Sequence, residues 1–167
     1  MRHRHTGRKL DMNSSQRKAL YRNMATSLFL HGSIRTTTPR ARELRAYAEK
    51  LLSIGKRAPS VADLATLTGP ELAAAQADRV SAIRRLAETL QDSDAIEKVM
   101  GEYAERFRTR PDGYTRVVKL SRKRPGDHAD MAIVQLVEAL PSMGSQLGAH
   151  EAGASTAQTE PAATPAE

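Results

Sequence analysis

Residues 13–40 read Asn13-Ser-Ser-Gln-Arg-Lys-Ala-Leu-Tyr-Arg-Asn-Met-Ala-Thr-Ser-Leu-Phe-Leu-His-Gly32-Ser-Ile-Arg-Thr-Thr-Thr-Pro-Arg40, and the periodicity of this stretch switches twice. Leu20, Met24 and Leu28 recur at every fourth position, which is the buried stripe of a helix. Asn13, Ser14 or Ser15 supplies a side-chain oxygen to the free N–H groups at its start, and His31-Gly32 closes it. Ser33 to Thr37 is rich in β-branched residues and reads as a short strand. Thr38-Pro39 then opens a second helix, with Thr as the N-cap and Pro at the first helical position. The stripe of that helix is Leu44, Ala48, Leu51 and Gly55, with Arg42, Arg45 and Lys56 mostly off it. Helix, strand and helix in one short run set the fold class as α+β.

Outward from there, Ala58 to Ala77 is poor in charge and broken by Pro59 and Gly69-Pro70, which predicts a loop leading into a helix. Val80, Ile83, Ala87 and Leu90 give that helix its periodicity. Ser93 is expected to cap another, with the stripe Ile96, Val99, Met100, Tyr103 and Phe107. Tyr114 to Leu120 alternates as a strand. Met131 to Val137 is its expected hairpin partner across a polar connection that holds Arg122-Lys123-Arg124 and the turn Pro125-Gly126-Asp127. Residues 1–12 carry almost nothing apolar, and residues 141–167 are Ala, Ser, Pro and Glu; neither can bury enough surface to offset its conformational entropy. The expectation is one domain, 13–140, of three or four helices on a small mixed β-sheet. An extended basic arm (1–12) precedes it and a disordered acidic tail (141–167) follows.

Charge falls in blocks. The chain carries +7 overall. Residues 1–57 hold 14 Lys/Arg against 3 Asp/Glu, residues 58–105 hold 4 against 9, residues 106–124 hold 8 against 1, and residues 125–167 hold none against 6. Mixed signs suffice for solubility, so two separated basic blocks point to one polyanion-binding surface built from distant segments. Lys18, Arg22, Arg116 and Lys119 are expected to share that surface. With no Cys, disulfides and thiolate metal sites are excluded. No apolar run reaches the ~18 residues of a membrane span, and the N-terminus has no secretory pattern.

Met1-Arg-His-Arg-His-Thr-Gly-Arg-Lys-Leu10 and the block Asn13 to Met24 resemble the opening of the bacterial large-subunit ribosomal protein seventeen family. Ile34-Arg-Thr-Thr37 with Arg40-Ala-Arg-Glu-Leu-Arg45 is similar to that family's next block. Gly113-Tyr-Thr-Arg-Val-Val-Lys119, Arg124-Pro-Gly-Asp127 and Met131-Ala-Ile-Val134 resemble its closing hairpin. The resemblance implies a cytoplasmic protein of the ribosome that binds ribosomal RNA near the polypeptide tunnel exit, beside neighbouring large-subunit proteins. Its RNA contacts would fall on Arg2, His3, Arg4, Arg8, Lys9, Arg17, Lys18, Arg22 and Asn23, and then on Arg35, Tyr114, Arg116 and Lys119. Asp11-Met12, Gln16 and Asp112-Gly113 depart from the family pattern, and residues 59–78 read as an insertion.

Phosphate neutralisation by Lys and Arg supplies most of the affinity of such a protein, and the planar fork of Arg suits a phosphate. The loop triplet Arg122-Lys123-Arg124 is expected to touch RNA as well. Tyr114 is read either as a base-stacking ring or as a strand residue packed on a helix, and Tyr21 as a packing residue. No metal, cofactor or small-molecule substrate is expected, nor membrane attachment. His3 and His5 are flanked by arginines that repel a cation. Asp127, His128 and Asp130 lack the shielded pocket and oriented partners that catalysis needs. The alternative from the same composition is a free-standing nucleic-acid-binding or RNA-chaperone protein.

Overall fold

Asn13 starts α1 (Ser14–His31) with a reciprocal pair of bonds: its side chain accepts from Gln16 N at 2.8 Å, and the Gln16 side chain accepts from Asn13 N at 3.3 Å. This computed structural model describes residues 7–137; the first six residues of the arm, with Arg2, His3 and Arg4, and the acidic tail lie outside them. The last carbonyls of a helix have no partner within it. In α1 they are met from several directions. Gly32, at φ 73°, donates its N–H to Leu28 O at 2.8 Å, the Tyr103 hydroxyl donates to Phe29 O at 2.9 Å, and Lys98 Nζ donates to Leu30 O at 2.8 Å.

The chain then enters β1 (Ser33–Thr37), which pairs antiparallel with β3 (Met131–Leu136); β3 also pairs antiparallel with β2 (Thr115–Lys119), so the strand order is β1-β3-β2. The expected mixed sheet is therefore corrected to an antiparallel one. β2 and β3 form the expected hairpin, and the central strand runs opposite to both edges. Rows Ile34–Val134–Val117 and Thr36–Ala132–Lys119 point toward the helices, where Val134 and Ala132 are fully buried.

α2 (Thr38–Arg57) lies across that inner face. Its N-cap is Thr37, not Thr38, because Thr38 is held elsewhere: its N–H and its hydroxyl both donate to Asp130 O, at 2.9 and 3.2 Å. Leu44, Ala48, Leu51 and Gly55 are buried as their spacing predicts, joined by Ala41 and Leu52. The segment read as a loop contains a short helix, α3 (Val61–Thr66), which Ser60 and Asp63 cap reciprocally. Gly69, at φ 66°, then turns the chain into α4 (Pro70–Ala87). The buried stripe of α4 is Ala82 and Leu86, continued by Leu90, whereas Val80 and Ile83 are 44% and 37% exposed. The small Ala82 side chain lets α4 lie close upon α2 and α5, and that choice outweighs the bulk of the neighbouring Val and Ile.

Asp92, rather than Ser93, caps α5 (Ser93–Lys98), accepting from Asp94 N at 3.0 Å. The helix continues through a π-helical stretch (Val99–Tyr103) into a last turn, α6 (Ala104–Arg106). This stretch presses on α2 at Gly55: a Cβ there would stand 2.8 Å from both Val99 Cγ1 and Val99 O. The core fills with Phe29, Phe107, Leu28, Leu44, Leu86, Val99 and Val134, all fully buried. α2 thus separates two layers, the sheet on one side and α4 on the other.

Residues 59–78 are tied to the domain by two arginines. Arg79 donates to Pro59 O at 2.8 Å, and Arg108 grips both Asp63 oxygens at 2.8 and 3.0 Å. The Arg108 guanidinium, with the Ser60 N–H and hydroxyl, holds the Asp63 carboxyl down to about 2, against an ordinary 3.8. A depressed carboxylate pKa gives stability that is present above the unfolded value and lost as pH falls through the folded one. Acidification from about pH 4 to about pH 2 should therefore loosen α3. Asp63→Asn should abolish that step in the α3 amide signals of an NMR pH titration. An unchanged step in the variant would show that the pair does not anchor this segment.

Candidate nucleic-acid interface

Successive side chains of a strand point to opposite faces. With the inner rows buried, the outer rows are Ser33–Gln135–Arg116 and Arg35–Ile133–Val118. Arg35 and Arg116 are exposed, one on each edge strand, and Val118, two residues along β2 from Arg116, is 40% exposed. None of the three strands contains Asp or Glu. Arg116 turns its Nε toward the Gln135 amide oxygen at 3.1 Å, a neutral partner that leaves its charge uncompensated. One whole face of the sheet is thus cationic and apolar, with no anion among its strand residues.

A second basic surface forms at the end of the sheet beside the first turn of α2. There Arg8, Arg42 and Lys119 line a concavity of about 660 Å³, with Asp130 on its rim. All three cations are exposed, and among the described residues none is in an ion pair. Arg42 was not among the residues singled out from the sequence. The signal for it was faint: it falls off the apolar stripe, one turn past Pro39.

The remaining expected residues are distributed differently. Lys9, Lys18 and Asn23 are exposed. Arg17 reaches back to the carbonyls of Lys9 and Met12, at 3.5 and 3.4 Å, so it holds the root of the arm against α1. Arg22 donates to Glu88 O at 2.7 Å and ties α1 to the end of α4. Lys18 and Arg22 belong to α1, which packs on the inner side of the sheet, and Lys119 follows the inner row while Arg116 follows the outer. The single shared surface expected for these four residues is thereby corrected: strand alternation alone puts residues three apart on opposite faces.

In the loop between β2 and β3, Arg124 makes a two-pronged pair with Asp127, whose carboxyl it holds down to about 2, and Lys123 lies 3.9 Å from Asp130. Only Arg122 of the triplet has no carboxylate partner among the described residues. Tyr114 is 3% exposed, its ring 5.1 Å from that of Phe107 and its hydroxyl donating to Pro111 O at 2.8 Å. Of its two readings, the structure shows the packed one. Tyr21 packs on Tyr47 at 5.5 Å, and burial pushes its hydroxyl pKa up, with Glu43 adding to the shift. His128 stands exposed at φ 51° beside an Asp127 already paired with Arg124. Among the described residues no three His, Asp or Glu gather as metal ligands, and no helix is long and apolar enough to cross a membrane.

These features define a small, basic α+β protein whose unpaired cations, among the described residues, gather on a sheet face without strand carboxylates and in a hollow beside α2. The family model for ribosomal protein L17 matches residues 20–137. A Thermus thermophilus protein named large ribosomal subunit protein bL17 is 42% identical over 138 residues, which cover 83% of this chain and all of that protein. Proteins of the same name from Myxococcus xanthus and Geobacter sulfurreducens are 40% and 38% identical across 83% of this chain, covering 84% and 67% of their own lengths. The chain belongs to the ribosomal protein L17 family.

Proposed function

We propose that this protein is a structural, non-catalytic constituent of the large ribosomal subunit in the bacterial cytoplasm. It binds ribosomal RNA and adjoining ribosomal proteins near the tunnel exit. The observation that carries the reading is the sheet face bearing Arg35 and Arg116 with no strand carboxylate. Asp63 and Asp127 already offset much of the charge of Arg108 and Arg124, whereas Arg35 and Arg116 have no carboxylate partner among the described residues. Family membership supplies the setting, since the relatives bear the name of a large-subunit protein. The basic arm extends the interface into crevices of RNA that a globular face does not reach, and Arg8, Lys9, Lys18 and Arg122 add cations at its borders. Residues 59–78 and the tail 141–167 inherit no role from the family.

Sedimentation of cell lysate through a density gradient tests the assignment. The protein should travel with large subunits and remain there after a wash at moderately high salt. Release into the soluble fraction at that salt would instead favour a free-standing nucleic-acid binder or RNA chaperone.

A further inference from the structure

We infer that the concavity at the start of α2 seats one backbone phosphate of RNA, held jointly by Arg8 of the arm, Arg42 of α2 and Lys119 of β2. The inference rests on the RNA-binding reading and adds to it a site with a stated stoichiometry and a residue, Arg42, that the sequence did not nominate.

Three cations from three separate elements line this one hollow. Bringing like charges together costs energy unless an anion fills the space between them, and none of the three has a carboxylate in an ion pair among the described residues. One acid, Asp130, stands on the rim, its exposed carboxylate 3.9 Å from Lys123, against three cations in the hollow. Two of the first three backbone positions of α2 offer no free donor. The first N–H groups of a helix ordinarily attract an anion, yet here the Thr38 N–H is engaged by Asp130 O and Pro39 has none. Side-chain charge therefore supplies most of the binding, and three converging cations favour an anionic phosphate over an uncharged base.

The position of Arg8 gives the seat a further consequence. Leu10 and Asp11 both have positive φ, 55° and 53°, in a tight turn closed by Met12 N–H donating to Lys9 O at 3.2 Å. Neither residue is Gly, so the left-handed conformation is strained and persists only where its surroundings hold it. Arg17 does so from below through the Lys9 and Met12 carbonyls. The turn folds the arm back so that Arg8 lines the same hollow as Arg42 and Lys119. A phosphate in the seat then clamps the root of the arm to the domain, fixing the direction in which the first residues leave it.

The test compares the full-length protein with Arg42→Gln and with Arg57→Gln, an exposed arginine at the far end of the same helix. Binding to deproteinised large-subunit RNA is measured across a salt series. Arg42→Gln should weaken binding about tenfold and flatten the slope of log affinity against log salt by about 0.7 to 0.9, the release expected for one phosphate. Arg57→Gln should leave both nearly unchanged, and Arg42→Lys should recover part of the loss. Equal effects of Arg42→Gln and Arg57→Gln would overturn the seat while leaving RNA binding itself intact. If the unaltered protein fails to bind this RNA, the wider reading falls and the seat with it. If Arg42→Gln loses binding to phosphatidylglycerol vesicles but keeps its RNA affinity, the concavity serves a lipid surface and the RNA seat is wrong.

Discussion

Replacing Arg35 and Arg116 together by glutamate is expected to weaken binding to large-subunit RNA by at least about a hundredfold, with the fold intact. Both side chains stand on the outer face of the sheet, away from the inner rows that pack on α1 and α2, so the change leaves the core untouched. Each charge-assisted bond to a phosphate contributes about 1.5 kcal/mol or more, close to a factor of ten. Reversal adds repulsion from every nearby phosphate, on a face that has no other strand cation to compensate. Affinity should be measured at fixed, moderate salt, because the electrostatic contribution shrinks as salt rises. Circular dichroism and a melting curve matching the unaltered protein would establish that structure is retained. Affinity within about threefold of the original would remove the sheet face from the interface.

Gly55→Ala should cost about 1 kcal/mol of stability, against the usual direction of that change in a helix. Alanine in a helix interior is favoured over glycine by roughly 1 kcal/mol, and an exposed site would show that gain. At Gly55 the new methyl would stand 2.8 Å from Val99 Cγ1 and 2.8 Å from the Val99 carbonyl oxygen. A side chain can rotate away, but a carbonyl at the start of the π-helical stretch, inside a continuous helix, moves only with that helix. Overpacking of this kind costs typically 1–3 kcal/mol, so the steric cost outweighs the propensity gain. The melting temperature should fall by roughly 4 °C. Because α2 also carries Arg42 and covers the inner face of the sheet, a displaced helix would weaken RNA binding in parallel. A melting temperature that is unchanged or raised would show that the two helices separate without penalty.

The sequence revealed the elements whose signals are local. Asn13 and Gly32 bracket α1, and the β-branched run Ser33–Thr37 is β1 to the residue. The stripe through Leu44, Ala48, Leu51 and Gly55 is buried as spaced. What it concealed depends on partners distant in the chain. Thr38 resembles an N-cap until Asp130 O, brought alongside by β3, engages it. Val80 and Ile83 look more buried than Ala82, because bulk does not reveal how closely α4 approaches α2. The π-helical stretch from Val99 has no signature of its own; it is legible only against the missing side chain of Gly55.

The interface was legible in kind more than in place. Charge blocks identified the cation-rich segments, but composition does not say which cations are already paired. Arg108 and Arg124 look no different in sequence from Arg35, and only Asp63 and Asp127, folded against the first two, set them apart. Tyr114 has the neighbours of a stacking ring in the chain and those of a core residue in space. Arg116 and Lys119 were expected to act together, although strand alternation divides them between the outer face and the concavity. Arg8, from the arm, is what makes Lys119 part of a site.

RNA is expected to meet this domain across the open side of its sheet and the hollow beside α2, not across α4. Ultraviolet crosslinking of intact large subunits, followed by mapping of the attached peptides, examines that geometry directly. RNA adducts should concentrate in the peptides bearing Arg35, Arg42 and Arg116 and be absent from those spanning Glu71 to Asp78. Adducts concentrated on α4, with none on the strands, would contradict it.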